Sequence, residues 1–301
     1  MKDIRTLSLE QLTDYFLCLV EKSFRAKQVY DWLGSKNMHS IGDMTNLSKE
    51  LREKISEEYI INPISVDELQ KSKDGTIKNG VKLHDGLLVE SVLIPTETRT
   101  TACVSSQVGC SLNCEFCATA RLKRMRNLEV AEIVDQVALI DRQSKLYFDR
   151  PLSNIVFMGM GEPMMNYKNV VESIRKITKP AGSGMSPRRI TVSTSGIPKM
   201  IKMLADENLK VKLALSLHSA IEKKRNEIMP FSDKFPLTDI MDSLKYWYEK
   251  TGNIITFEYC VWKGINDTDE DIKALIQYCK QIPSKVNLIQ YNPIGDGKYD
   301  Q

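Results

Sequence analysis

From about residue 98 onward the chain repeats one rhythm: a short run dense in Val, Ile and Leu, followed by a longer amphipathic segment. The short runs are "TACVSS" (101–106), "NIVFMGM" (154–160), "RITVSTS" (189–195), "VKLALSLH" (211–218), "ITFEYCV" (255–261) and "KVNLIQYN" (285–292). Between them lie helical patterns, the clearest being "EVAEIVDQVALIDRQ", "NVVESIRKIT", "DIMDSLKYWYEK" and "DEDIKALIQYCK". Strands this apolar are buried on both faces, so alternation with helices predicts a parallel sheet covered by those helices. Six repeats predict an α/β fold, a partial (β/α)6 barrel. In such a barrel chemistry gathers at the C-terminal ends of the strands.

The first 97 residues read differently. Ser8 with Gln11 makes a capping-box start for "SLEQLTDYFLCLVEK", Ser48 opens "SKELREKISEEY", and "FRAKQVYDWLGSK" lies between them. Residues 1–62 are therefore expected to form a small helical domain that exits at Asn62-Pro63. From 63 to 97, short apolar runs are separated by Asp74-Gly75 and Asp85-Gly86, both hairpin pairs, which predicts a three-stranded meander. The core is expected to occupy 98–301.

The stretch "MKDIRTLSLEQ" has charge where a secretory signal would have its apolar stretch, so none is expected, and no apolar run approaches the roughly 18 residues that span a bilayer. A cytoplasmic protein with no membrane partner is expected, and a monomer. In a reducing compartment seven cysteines, an odd and clustered set, point to metal or thiol chemistry instead of a disulfide framework. Net charge is only +3, so a nucleic-acid partner would have to be met by a local basic patch.

Three of the cysteines stand in "CSLNCEFC" directly after the first strand of the repeat. Cys110, Cys114 and Cys117 have C-x3-C-x2-C spacing. A closed zinc site takes four protein ligands, and the three histidines, His39, His84 and His218, offer no second close pair. A 4Fe-4S cubane held by three thiolates leaves one iron open to a substrate or cofactor, which fits the triplet better. "GMGEP" (159–163), at the end of the second strand, lacks the third glycine of a dinucleotide fingerprint. Its glycines, Gly161 among them, would admit a ligand close to the backbone, and Glu162 is suited to an ammonium group. Ser193, Ser216 to His218 and Asn292 lie at ends of later strands, so a barrel would bring them to one mouth. Glu90, inside the apolar "LLVESVLIP", is either an outward-facing residue of ordinary strand alternation or a buried one, which is expensive unless paired or functional and would raise its pKa. Cys18, Cys260 and Cys279 read as packing residues.

The cysteine loop resembles that of the radical S-adenosylmethionine superfamily, with Phe116 before the last cysteine. Within it, "TACVSSQVGCSLNCEFCATA", "FMGMGEPMMN", "SPRRITVSTSG", "ALSLHSA" and "NLIQYNP", in order, are similar to the adenosine-C2 methyltransferases of ribosomal and transfer RNA, and "FRAKQVYDWL" resembles that family's N-terminal accessory domain. The resemblance implies a radical-SAM barrel and two cofactors, a 4Fe-4S cluster on Cys110, Cys114 and Cys117 and S-adenosylmethionine bound by Gly161, Glu162, Ser193, Ser216, Leu217, His218 and Asn292. It implies 23S rRNA and tRNA as partners and a flavodoxin-type electron donor. It makes Glu90 the proton acceptor and Cys103 the thiol that resolves an RNA–enzyme adduct. Adenosine-C8 methyltransferases are close kin; Pro163 and "FRAKQVYDWL" lean towards carbon 2. "ARLKRMRNL" (120–128), with Lys71, Lys73, Lys78 and Lys82, is expected to meet RNA phosphates.

In that family a second cysteine, after the sixth strand, carries the methyl group. This sequence stops at Gln301, nine residues past Asn292, and the apolar sixth strand has no covering helix after it. A fragment is expected, or else a relative that binds RNA without completing the reaction.

Overall fold

The computed structural model describes residues 1–35, 40–179 and 183–294. His39 and the tail 295–301 lie outside the described residues. The chain divides into two compact units: Met1–Val104 with Leu128–Asn154 and Lys168–Ser186, and Ser105–Asn127 with Ile155–Tyr167 and Pro187–Gln301.

The first unit opens with β1 (Lys2–Asp3), then helices α1 (Leu9–Cys18), α2 (Phe24–Ser35) and α3 (Lys49–Glu58), and β2 (Tyr59–Ile60), which pairs in parallel with β1. The expected capping box is present, since Ser8 and Gln11 each accept from the other's backbone N–H. Ile4, Leu12, Phe16, Val29, Met44 and Ile55 form the core of this helical part, all 0% exposed. Arg5, buried, donates to Asp3 and to Asp135 and so ties the N-terminus to the later helix that carries Asp135.

Next come β3 (Ser65–Lys71), β4 (Ile77–Lys82), β5 (Leu88–Pro95) and β6 (Thr100–Cys103), consecutive strands pairing antiparallel from β3 to β6. The meander thus acquires a fourth strand, the first of the six apolar runs. Both Asp-Gly pairs turn as their chemistry requires, with Gly75 at φ 86° and Gly86 at φ 81°. The unit is completed by α4 (Val130–Phe148) and α5, which begins at its border (Tyr167–Thr178). Gln143 of α4 and Asn79 of β4 exchange amide hydrogen bonds of 2.6 and 3.0 Å, which satisfies two buried side chains that would otherwise be costly.

The second unit holds a small antiparallel ribbon of β7 (Gln107–Val108) and β8 (Arg126–Asn127). Its sheet runs β9 (Asn154–Phe157), β10 (Ile190–Thr194), β11 (Lys212–Ser216), β12 (Ile255–Val261) and β13 (Ser284–Gln290), all parallel and in sequence order. All six apolar runs are therefore strands. Helices α6 (Pro198–Asp206), α7 (Glu222–Ile228), α8 (Leu237–Thr251) and α9 (Asp269–Cys279) follow β10 to β12. Two of these, α6 and α7, are additional to the clearest helical patterns. No described helix is long and apolar enough to cross a membrane.

Candidate functional site

Because β9 to β13 run the same way, everything at their C-terminal ends shares one edge. Register fixes the order: Ser193 lies opposite Ala214, Thr194 opposite Leu215, and Ser216 opposite Glu258. On this edge stand Gly161 and Glu162 after β9, Ser193 in β10, Ser216, Leu217 and His218 at the end of β11, and Asn292 just past β13. Ser193, Leu217 and His218 are buried, Ser216 is half-buried and Asn292 is exposed.

The cysteine loop is pinched at its base by β7 and β8. Gly109, at φ 73°, lets the backbone pass against the Lys123 carbonyl, where a Cβ would collide. Inside the loop Asn113 takes φ 54°, and the Cys117 N–H donates to the Cys114 carbonyl at 3.1 Å. Glu115 N–H donates to the Ile228 carbonyl at 3.0 Å, which fastens the loop to the end of α7. Cys114 and Phe116 pack on a cluster of Ile228, Met229, Cys260, Trp262 and Tyr291. Phe116 meets the rings of His218 and Trp262 at 4.6 and 5.3 Å.

The three thiols are electrostatic neighbours. Burial pushes the Cys110 and Cys114 thiols up, and Cys117 adds to both, against a backbone hydrogen bond from Leu112 at Cys110, so three thiolates here need a cationic partner to form together. Among the described residues no group of three His, Cys, Asp or Glu side chains is placed to hold one metal ion. A cubane makes a different demand, because each thiolate serves its own iron. The donor set, half-buried and all sulfur, fits such a cluster.

Glu162 is 4% exposed. Its carboxylate accepts from Ser195 N–H and Oγ–H, both 2.8 Å, and from Met164 N–H at 3.0 Å, while its own N–H donates to Gln107 Oε1 at 2.9 Å. Burial pushes this carboxyl up, and the donors from Ser195 and Met164 oppose that. Gly161 has φ 94°, and a Cβ there would sit 2.5 Å from the Gln107 Cβ. The turn therefore requires glycine on two counts.

His218 accepts from Cys260 N–H at Nδ1, 3.0 Å, so its ring proton sits on Nε2, and its carbonyl accepts from the Asn266 side chain. Burial and the nearby Arg225 guanidinium push its pKa down to about 3. The unfolded chain takes up a proton near pH 6.5 that the folded one refuses. This stabilising difference is complete above pH 6.5 and is lost as pH falls towards 3. Lowering pH from 6.5 to 5 is thus expected to remove on the order of 2 kcal/mol of stability, measured by denaturant titration, and His218→Gln to remove that dependence.

In the first unit, Glu90 and Cys103 share one face of the antiparallel sheet. Cys103 lies opposite Val92, and Glu90, two residues before Val92, is its diagonal neighbour. Lys78, opposite Val92 on the other side, reaches Glu90 Oε1 at 2.6 Å. Burial of Glu90 is not found: its side chain is 50% exposed on the outward side of β5. Strict alternation of the strand, with Val89, Ser91 and Leu93 inward, puts it there. Cys18 likewise is exposed, because α1 turns its other face to the core, whereas Cys260 is buried. Arg121, Lys123 and Arg124 are exposed beyond the cysteine loop, as are Lys71, Lys73, Lys78 and Lys82 on the meander.

Sequence reasoning did not single out Gln107, Ser195, Arg225 or Trp262. Arg225 was hidden in the charged run "EKKR", of which it alone is 0% exposed. Its helical offset of three from the buried Ile228 was the available signal.

A parallel sheet with a cysteine-bearing loop at its C-terminal edge defines a radical S-adenosylmethionine protein, and residues 104–279 match the model of the Radical SAM superfamily. Residues 2–61 match the ribosomal RNA large subunit methyltransferase N-terminal domain. The chain is 65% identical over 300 residues to the probable dual-specificity RNA methyltransferase RlmN of Flavobacterium psychrophilum, covering all of this chain and 86% of that protein. It is 43% identical to the dual-specificity RNA methyltransferase RlmN of Geotalea uraniireducens, over 96% of this chain and 82% of that one. The crystal structure of a radical SAM methyltransferase from Sphaerobacter thermophilus superposes with a TM-score of 0.92 at 34% identity, covering 100% of this chain and 88% of that one. The chain belongs to the RlmN family of radical S-adenosylmethionine RNA methyltransferases. Membership implies a 4Fe-4S cluster and S-adenosylmethionine as cofactors and RNA as substrate.

Proposed function

We propose that the chain methylates carbon 2 of adenosine in 23S rRNA and in the tRNA anticodon loop, with Cys110, Cys114 and Cys117 holding the cluster. The observation that carries this reading is the shared edge: Gly161, Glu162, Ser193, Ser216, Leu217, His218 and Asn292 all end parallel neighbouring strands, beside a loop of three clustered thiols. When bound, the cluster supplies an electron and S-adenosylmethionine the radical and the methyl group, a route needed because adenine carbon 2 is not nucleophilic. Glu162 gives the ammonium end of the cofactor a negative neighbour, Gly161 lets it approach the backbone, and the neutral His218 offers Nε2–H as a donor. Glu90 accepts the proton from the methylated carbon, with Lys78 holding its carboxylate on the face it shares with Cys103. Cys103, half-buried, is the thiol that releases product by forming a disulfide with the family's methyl-carrying second cysteine as the bond from that sulfur to the product breaks. The exposed cations of residues 121–124 and of the meander meet RNA phosphates, and a flavodoxin-type protein supplies the electron.

RNA from cells carrying only this methyltransferase, digested to nucleosides and analysed by mass spectrometry, is expected to contain 2-methyladenosine. Glu90→Gln and Cys103→Ala are expected to lower it at least a hundredfold with cluster content unchanged. Finding 8-methyladenosine alone would assign the chain to the C8 kin instead.

A further inference from the structure

Glu258 sits where a parallel sheet has little use for a carboxylate. It stands in the middle of β12 and is 7% exposed. Phe257 packs its ring on Tyr278 of α9 at 5.6 Å, so alternation turns Thr256 and Glu258 to the opposite face of the sheet. Register carries that face across the neighbouring strands: Ser216 of β11 and Asn287 of β13 flank Glu258, and Lys285 lies opposite Thr256. A sheet packed on both faces would carry Val, Ile or Leu at such positions. Hydroxyls, a carboxylate, a carboxamide and an ammonium group suit a polar ligand instead.

The carboxylate is half engaged. Asn287 Nδ2 donates to Glu258 Oε2 at 2.7 Å. Oε1 accepts from no described residue and stays open to solvent. Burial pushes this carboxyl up, and the Asn287 hydrogen bond and the Lys285 ammonium oppose that. An ionised carboxylate oxygen only accepts, so its ligand must bring a donor. Access comes from the side of β13, the edge strand, where Lys285 and Asn287 are both exposed. Glu258 is therefore next to Ser216 but on the open side of it. We propose that Glu258 accepts a hydrogen bond from the exocyclic amine of the target adenine in RNA, and that Asn287 braces it to hold that base beside Ser216. This rests on the reading that the chain modifies adenosine. The amine is on carbon 6, across one ring nitrogen from carbon 2, so the contact leaves the reacting carbon uncovered. Glu258 is thereby a positioning residue that selects a base bearing an amine at carbon 6.

The test measures the affinity of anaerobically reconstituted protein, saturated with S-adenosylmethionine, for two fluorescent tRNA anticodon stem-loops. One has adenosine at the target position and the other purine riboside, which lacks only the amine. Wild type is expected to prefer the adenosine stem-loop by roughly tenfold or more, the scale of a hydrogen bond to a charged group. In E258Q the amide oxygen stays with Asn287 and the open position becomes an N–H donor, so the preference is expected to vanish while affinity for S-adenosylmethionine keeps its wild-type value. Should E258Q not fold, N287A carries the test: it removes the brace and is expected to lose part of the preference, and a preference equal to wild type overturns the proposal. Equal binding of the two stem-loops by wild type, or an undiminished preference in E258Q, also overturns it. If E258Q weakens S-adenosylmethionine binding and keeps the preference, the carboxylate serves the cofactor and the proposal falls. Failure of wild type to bind either stem-loop removes the RNA reading, and this inference with it.

Discussion

Replacing Cys114 by Ser is expected to abolish the iron–sulfur absorbance of the reconstituted protein, to drop bound iron from about four per chain to below one, and to end reductive cleavage of S-adenosylmethionine. The thiol is half-buried, packed on the cluster that holds Trp262 and Met229, and its loop is fastened through Glu115 to α7. The fold should survive the change, since Ser differs from Cys by one atom and the loop is anchored by backbone hydrogen bonds. Cys18→Ser, at an exposed position, is the matched control and should leave iron content unchanged. Iron content and circular dichroism measured together separate loss of the cluster from loss of the fold.

Gly161→Ala is expected to weaken S-adenosylmethionine binding at least tenfold. Two costs add at this turn. The φ of 94° disfavours any side chain by roughly 1–2 kcal/mol. The new Cβ would also lie 2.5 Å from the Gln107 Cβ and 2.8 Å from its backbone nitrogen, and overpacking of that kind costs about 1–3 kcal/mol. Relief requires Gln107 to move, which breaks its hydrogen bond from Glu162 N–H and shifts the buried carboxylate. Gly86→Ala separates the two terms. Gly86 has φ 81° but nothing within 4 Å of where a Cβ would stand, so it bears the backbone cost alone. Binding isotherms and denaturant midpoints for both variants are expected to show a small stability loss for Gly86→Ala with binding intact, and loss of both for Gly161→Ala.

The parallel half of the fold was legible because strands covered on both faces leave uninterrupted apolar runs, as β10 to β12 do; all six runs are strands, although β13 is largely exposed. Helices α6 and α7 were not, since each is short and α7 is mostly polar, with "EKKR" reading as a solvated face. The same masking hid Arg225, whose burial depends on a tertiary position that a charged run does not announce. The cysteine loop and the strand-end residues were visible because spacing and strand termini are local properties. Glu90 shows the opposite limit. Apolar neighbours in sequence raised the expectation of burial, whereas alternation on a sheet with one open face turns it outward to Lys78. Ser195 and Gln107 were missed for a further reason: each acts on Glu162 across the fold, and nothing in the local sequence marks a brace.

The central claim is that three thiolates leave one iron open for the amino-acid end of S-adenosylmethionine at the edge formed by β9 to β13. Electron–nuclear double resonance of the reduced, reconstituted protein tests it most directly, with the cofactor labelled by nitrogen-15 in its amino group and oxygen-17 in its carboxylate. Hyperfine coupling from both labels to the cluster is the predicted result. A cluster of full iron content that shows coupling to neither label would contradict the account.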